Sequence, residues 1–327
     1  METASAPKQF ETINRGYNST FNPGRLSLGL VVPLETYAHS SVPSMQNQLA
    51  RIQQAEKLGF SAVWLRDVPF NVPSFGDAGQ LFDPFVYLGL LAGQTEHISL
   101  GVSSIILPLR HPAHVAKAAA SVDVLSGGRL ILGVASGDRP DEYPALNLSH
   151  TDRGQRFRES FEYIRRMGEH APSFSNSYGD LKGHIDMLPK PLGGKLPLMI
   201  TGGSQQDTNW LAEHGDGWML YPRNNELQAK IIADWRVRLQ SAARPDQPVM
   251  QPLYIDLSDS PTEPPRPIHL GMRLGSKHLV EYLRSVEAIG VNHVAFNLRF
   301  NQASIERTLQ RLADEVLPEF THAPTNS

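Results

Sequence analysis

The sequence predicts a single (β/α)8 barrel of the α/β class, and three observations carry that reading. Short apolar runs and stretches of 3.6-residue period alternate eight times along the chain. One unit recurs, an amphipathic stretch, a glycine and then a buried apolar run. It appears as Glu56-Lys57-Leu58-Gly59 before Ala62-Val63-Trp64-Leu65, as Glu213-His214-Gly215 before Trp218-Met219-Leu220, and as Ala288-Ile289-Gly290 before His293-Val294-Ala295-Phe296. Helix, glycine stop and buried strand in that order form the αβ connection of a parallel sheet. Eight units also exceed the roughly five or six of a doubly wound sheet.

In chain order the strands are expected near 26–32, 62–66, 98–104, 130–135, 197–201, 217–221, 250–256 and 292–298. Helices follow near 44–58, 83–94, 112–125, 153–170, 205–214, 225–240, 276–289 and 303–316. In the first helix Met45, Leu49, Ile52 and Ala55 recur at steps of four, three and three, one buried stripe. Closure of a barrel requires Leu26 to Val32 and His293 to Leu298 to be adjacent parallel strands. The barrel is assigned to 25–320, with an N-terminal extension at 1–24 and a tail at 321–327. Two segments, 172–191 and 258–275, exceed the usual connection length and read as lids, inserted hairpins or disordered stretches. The second leaves the C-terminal end of a strand, the face where barrel active sites sit.

Composition narrows the function. Among 327 residues, 30 Lys and Arg stand against 33 Asp and Glu, a net charge of -3 with no basic block. That argues against a nucleic-acid partner or a polybasic membrane patch and for a small-molecule substrate. The absence of cysteine excludes disulfides, thiolate zinc sites, iron–sulfur clusters and a cysteine nucleophile. Met1 to Gln9 lacks a basic-then-apolar pattern, and no apolar run approaches the ~18 residues of a membrane span, so a cytoplasmic protein is expected.

Ile200-Thr201-Gly202-Gly203-Ser204, between a strand and a helix expected from Gln205, is the strongest phosphate signal. Glycines let backbone N–H groups approach an anion, and a helix N-terminus adds partial positive charge. The alternative is a plain tight turn. A second cluster, Gly127 to Asp138, flanks a strand with glycines and ends in small polar groups, so it suits either a flat ligand or barrel packing. Other chemistries find little support. His111 and His114 lack a carboxylate in register for a metal, and none of the eight lysines falls at a strand's C-terminal end for a Schiff base. Asp67, Asp138 and Asp256 are the only loose candidates for a glycosidase pair. The tryptophans, at 64, 210, 218 and 235, read as packing residues.

Three segments taken together resemble the bacterial luciferase-like monooxygenase superfamily: Gly101 to Pro112, Leu125-Ser126-Gly127-Gly128-Arg129 through Gly137, and Leu188-Pro189-Lys190-Pro191 leading into Thr201-Gly202-Gly203-Ser204. The likeness runs from about residue 26 to 317. It implies a (β/α)8 barrel that binds reduced flavin, or a deazaflavin, at its C-terminal face. Carried over residue by residue, it implies a non-proline cis peptide at Ser103-Ser104 under the ring. It further implies a flavin phosphate at Gly202, Gly203 and Ser204, helped by Ser136 and Arg153. The chain departs from the family pattern after the second strand. It reads Leu65-Arg66-Asp67 where many members carry Glu-His, and it has Ala135 and Ser136 where the luciferases carry cysteine and arginine.

The function expected from residues and resemblance together is a monooxygenase using reduced FMN and molecular oxygen on a small organic substrate. A separate reductase would supply the reduced flavin, and a homodimer is implied. Arg66 and Asp67 are the expected catalytic residues, read as a charged pair at the pocket. His39, Tyr143, Arg223 and Arg273 are further pocket candidates from their loops. The rivals are a deazaflavin-dependent hydride transferase on the same fold and a barrel that binds flavin without turnover.

Overall fold

β1 (Ser27–Val31) lies parallel beside β8 (His293–Asn297), Ser27 opposite His293 and Leu30 opposite Phe296, so the first and last strands close a ring. The computed structural model describes residues 9–320. Between those two strands run β2 (Ala62–Leu65), β3 (Ser99–Ile106), β4 (Leu130–Ala135), β5 (Leu198–Thr201), β6 (Gly217–Met219) and β7 (Val249–Leu257). Each is parallel to its neighbours in the ring. The helices after them are α1 (Gln48–Lys57), α2 (Pro84–Gln94), α3 (Pro112–Leu125), α4 (Arg153–Arg166), α5 (Thr208–His214), α6 (Asn225–Ser241), α7 (Ser276–Ala288) and α8 (Ile305–Glu315). The chain is thus the eight-unit barrel its periodicity predicts. No helix among the described residues is long and apolar enough to cross a membrane. The expected tail at 321–327 and the first eight residues of the expected extension lie outside the described residues.

Local chemistry sets the helix starts. At α2, Pro84 occupies the first turn and the Asp83 carboxylate accepts the Phe85 and Val86 amides. Two starts come later than the periodicity suggests. Met45 and Asn47 have φ of 61° and 58°, so α1 cannot begin at residue 44. Ser204 and Gln205, with φ of 44° and 61°, delay α5 in the same way. Left-handed backbone cannot be continued as a right-handed helix.

Both long insertions are hairpins. Ser173–Asn176 pairs antiparallel with Gly179–Lys182. Arg266–Ile268 pairs with Gly271–Leu274, which adds itself parallel to β7 with Arg273 opposite Asp256. This second hairpin carries His269 and Leu270 to the barrel mouth.

Inward side chains fill the lower barrel, led by Trp64, Ile131, Met199 and Met250. Ile13, Tyr17 and Phe21, from the short helix Arg15–Thr20 and its flanks, pack against them as a floor. Gly101 leaves room for the Trp64 indole, since a Cβ there would lie 2.2 Å from its ring. The N-terminal end of β4 is held by Arg129, which is 2 % exposed and donates to the carbonyls of Ala92, Thr95, Ile98 and Ser126 and to the Thr95 hydroxyl. The Leu125–Arg129 motif therefore stitches the barrel's lower end, away from its mouth.

His293 is wholly buried, accepting from Trp64 Nε1 at 2.9 Å and facing Ser27 Oγ at 2.7 Å through Nδ1. Burial pushes its pKa down from 6.5 to about 3. Between those values the unfolded chain binds more protons, so this group costs stability as pH falls below 6.5 and the loss levels off near 3. Urea denaturation of wild type and His293→Gln at stepped pH should show wild-type stability falling faster on acidification, by up to about 1.4 kcal/mol per unit. Parallel profiles would remove His293 as the cause.

Candidate active site

The C-terminal ends of the strands surround a cavity of about 570 Å³. That lies within the range of roughly 300–1,000 Å³ found for small-molecule sites. A groove on the outer wall, between α3, α4 and residues 187–198, encloses only about 10 Å³.

Of the residues singled out in the sequence, Arg66, Asp67, Ser103, Ser104, Ser136, Gly202 and Ser204 line the cavity. The Ser103–Ser104 peptide is cis. Ser104 Oγ hydrogen-bonds Thr201 Oγ1 and so ties β3 to β5 across the intervening strand. Gly203 instead faces an adjoining groove of about 370 Å³ that also carries Arg223 and Lys230. Arg153 is outside the cavity lining, its Nη1 donating to the His150 carbonyl at 2.9 Å. The start of α4 nevertheless abuts the 202–205 turn, for Gln206 Nε2 donates to the Gly154 carbonyl at 2.8 Å. His39 is exposed, and Arg273 is paired with Asp256 at 2.6 Å. Tyr143 is fully buried, its hydroxyl donating to the Ser136 carbonyl.

The turn after β5 differs in kind from the sequence reading. α5 starts only at Thr208, and its first turn is already capped by Asp207, which accepts the Trp210 amide at 2.9 Å. What remains for an anion is the turn itself. Gly202 has φ of 55°, a Cβ there would meet nothing within 4 Å, and Ser204 and Gln205 are left-handed too. Ser204 Oγ donates back to the Thr201 carbonyl at 2.8 Å, and the Gln206 amide closes on the Gly203 carbonyl at 2.8 Å. The amides of Gly203, Ser204 and Gln205 have no hydrogen-bond partner among the described residues. Such a run of unpaired backbone donors is a concavity suited to an anion.

Arg66 and Asp67 do not pair with each other, a correction to the sequence reading. Successive side chains at a strand end point to opposite sides. Asp67 turns to Arg110, which grips it with Nη2 at 2.7 Å and Nε at 2.9 Å, and it also accepts the Ile106 amide at 3.1 Å. Its carboxylate thereby anchors the chain just past the cis peptide. Arg66 turns to Asp77, at 2.6 Å.

Asp77 is the hub of a network that the sequence did not reveal. Its carboxylate takes Arg66, Arg299 at 3.3 Å, the Tyr37 hydroxyl at 3.1 Å and the Gly79 amide at 2.9 Å. Burial alone would raise its pKa, but Arg66 and these hydrogen bonds outweigh burial and hold it below the usual carboxylate value. Burial, and then Asp77, push the Tyr37 hydroxyl well above its usual value. Arg299 also donates to the Ser40 and Gly76 carbonyls, and Arg139 donates to the Asp77 carbonyl while stacking 3.9 Å from the Phe75 ring centre. Segment 73–79 is thus a strap across the mouth, pinned by three arginines from the ends of β2, β4 and β8. A polar residue within a few positions after a strand end was the available signal for Arg139 and Arg299; nothing local marked Asp77.

Asp77→Ala should cost about 3–5 kcal/mol in urea denaturation, because it leaves the buried Arg299 and the partly buried Arg66 without their shared anion. It should also speed proteolytic cleavage within 70–80, whereas Asp77→Asn keeps the amide and tyrosine bonds and should lose less. Equal stability of wild type and Asp77→Ala would contradict the network.

The family described as luciferase-like monooxygenase matches residues 24–265. The F420-dependent hydroxymycolic acid dehydrogenase of Mycobacterium tuberculosis is 28 % identical over 238 residues, 70 % of this chain and 62 % of that protein. The alkanal monooxygenase beta chain of Photorhabdus luminescens is 30 % identical over 183 residues, 54 % of each chain. The match thus spans less than two-thirds of either relative. Among solved structures, the oxygenating constituent of 3,6-diketocamphane monooxygenase from Pseudomonas putida, in complex with FMN, superposes with a TM-score of 0.72 at 13 % identity, covering 91 % of this chain and all of that one. That superposition is a likeness of fold.

Proposed function

This chain belongs to the luciferase-like monooxygenase family, and from that premise we propose that it is a flavin-dependent oxidoreductase that uses reduced FMN and oxygen on a small organic substrate. The observation that carries the reading is the turn after β5, whose Gly202 and Ser204 line the 570 Å³ cavity together with the cis peptide and whose three amides at 203–205 are unpaired among the described residues. The residues present fit the cofactor. Gly203, Ser204 and Gln205 would hold the phosphate through N–H groups, Ser136 would add a hydroxyl, and Arg153, at the abutting start of α4, would swing from the His150 carbonyl to complete the seat. Ser103 and Ser104 would form the shelf under the ring. When bound, reduced FMN supplies the electrons that activate oxygen, chemistry no side chain here offers.

The chain's own residues position and enclose. Arg66, fixed by Asp77, orients the substrate at the cavity wall, and Asp67 acts indirectly by holding the Ile106 amide. The strap at 73–79 limits water entry. The outer face of α2 supports a dimeric protein, with Val86 74 % and Leu90 49 % exposed and no charged residue in the helix. A separate reductase as electron source is part of the same proposal.

A deazaflavin is the second reading, and one observation favours it. The groove with Arg223 and Lys230 continues from Gly202 and Gly203, leaving room for a cofactor whose chain runs past its phosphate. Titration of the protein with reduced FMN and with a reduced deazaflavin separates the two.

For FMN, Arg153→Ala should weaken binding by about 1.5–3 kcal/mol, roughly ten- to a hundredfold in Kd. Riboflavin, lacking the phosphate, should bind wild type poorly and be indifferent to the change. Both ligands against both proteins close a double cycle. Equal losses for FMN and riboflavin would mean that Arg153 acts through folding or the ring.

A further inference from the structure

Charge around the cavity is unevenly divided. Arg66, Arg139 and Arg299 line it, and of these Arg139 and Arg299 are only 5 % and 8 % exposed. Asp77 is the buried carboxylate that pairs with them directly; Asp67 is occupied by Arg110, Asp138 is exposed to solvent, and Glu142, 2 % exposed, acts on Arg139 through space without forming an ion pair. Asp77 pairs with Arg66 and Arg299, so the third guanidinium has no carboxylate within ion-pair distance among the described residues. Arg139 reaches only the Asp77 carbonyl, and its Nη1, although buried, has no hydrogen-bond partner among the described residues. Burial, and then the field of Arg66, pull its pKa below the ordinary arginine value, outweighing the opposing fields of Glu142, Asp138 and Asp77. A buried charge without a partner is expensive, and a guanidinium fork matches a carboxylate bidentately.

This cationic end is separate from the turn after β5. In the ring order, β5 stands directly across from β1. Arg66 and Arg299 leave β2 and β8, the two neighbours of β1, and Arg139 reaches across to the same strap. An anion seated here would therefore lie across the cavity from one seated on the backbone amides. Phe75, stacked on Arg139, and Tyr254 and Phe300, with ring centres 5.5 Å apart, supply apolar surface beside it.

We propose that the substrate is an organic carboxylate whose anion is held by Arg139 with Arg66, at the strap end of the cavity. The assignment of that anion to the substrate rests on the flavin reading above; the carboxylate seat itself does not. Phenylacetate and hexanoate, each beside its neutral amide, are titrated by calorimetry into the full-length protein, both cofactor-free and FMN-loaded. Wild type should bind each acid at least about tenfold more tightly than its amide, with or without FMN. Arg139→Gln should remove about tenfold of the acid affinity and leave the amides and FMN within about twofold. Arg139→Lys, the variant less disruptive to the fold, should lose at least about threefold for the acids, because an ammonium cannot fork. The proposal is overturned if wild type shows no preference for either acid, or if both variants keep it. Displacement of the acids by FMN also overturns it, since the seat then serves the cofactor's anion. Failure of FMN to bind at all, with the acid preference intact, sinks the flavin reading and leaves the seat standing.

Discussion

A single buried carboxylate organises the mouth of this barrel. Asp77 lies in a loop with no regular strand or long helix to hold it, and it is kept in place by side chains arriving from elsewhere, Arg66 from β2, Arg299 from β8 and Tyr37 from the loop after β1. Each arginine alone would be a buried cation with a desolvation cost, and each is stabilised only because the others bring the strap, and Asp77 with it, to the same point. The strap in turn supplies the Gly76 and Asp77 carbonyls that Arg299 and Arg139 need. Loop position and cavity wall are consequently one cooperative unit.

The barrel divides its labour along its axis. At the lower end, two charged groups are closed into fixed networks. Arg129 spends all its hydrogen bonds on carbonyls and one hydroxyl, and Asp216 is gripped by Arg165 and Lys195 while accepting the Leu198 amide. The Arg15–Thr20 helix plugs what would otherwise be an opening there. At the upper end, donors are left over: the amides of the β5 turn and Nη1 of Arg139. The free amides of the β5 turn and Nη1 of Arg139 both lie at the end where the cavity opens, so a ligand there meets donors that the fold does not use.

Periodicity made the scaffold legible. Apolar runs placed all eight strands and all eight helices, because both faces of a parallel barrel strand are buried and its helices carry one buried stripe. It misplaced the starts of α1 and α5, where Met45, Asn47, Ser204 and Gln205 adopt left-handed backbone that their residue types do not announce. Of the candidate residues, Gly202 and Ser204, marked by their local glycine-rich turn, and Ser103 and Ser104, marked by the family resemblance, come to line one cavity. The site was not legible where chemistry depends on a side chain's direction. Arg66 and Asp67 are adjacent in sequence yet serve different partners, and Arg299 meets Asp77 across more than two hundred residues of chain. No spacing rule encodes a contact of that kind.

The two ends of the cavity differ in what evolution can change. The turn after β5 presents backbone amides, and their direction is fixed by the φ values of Gly202, Ser204 and Gln205. Changing a side chain there hardly alters the donors, while changing the backbone undoes the strand–helix connection itself. The strap end presents side chains from three strand ends, and replacing Arg139 removes only one carbonyl hydrogen bond and one aromatic contact from the fold. On the proposed assignment, with a cofactor seat set in backbone and a substrate seat set in side chains, the fold can keep one chemistry while exchanging substrates, since the first is set by the barrel and the second by a few residues on its rim.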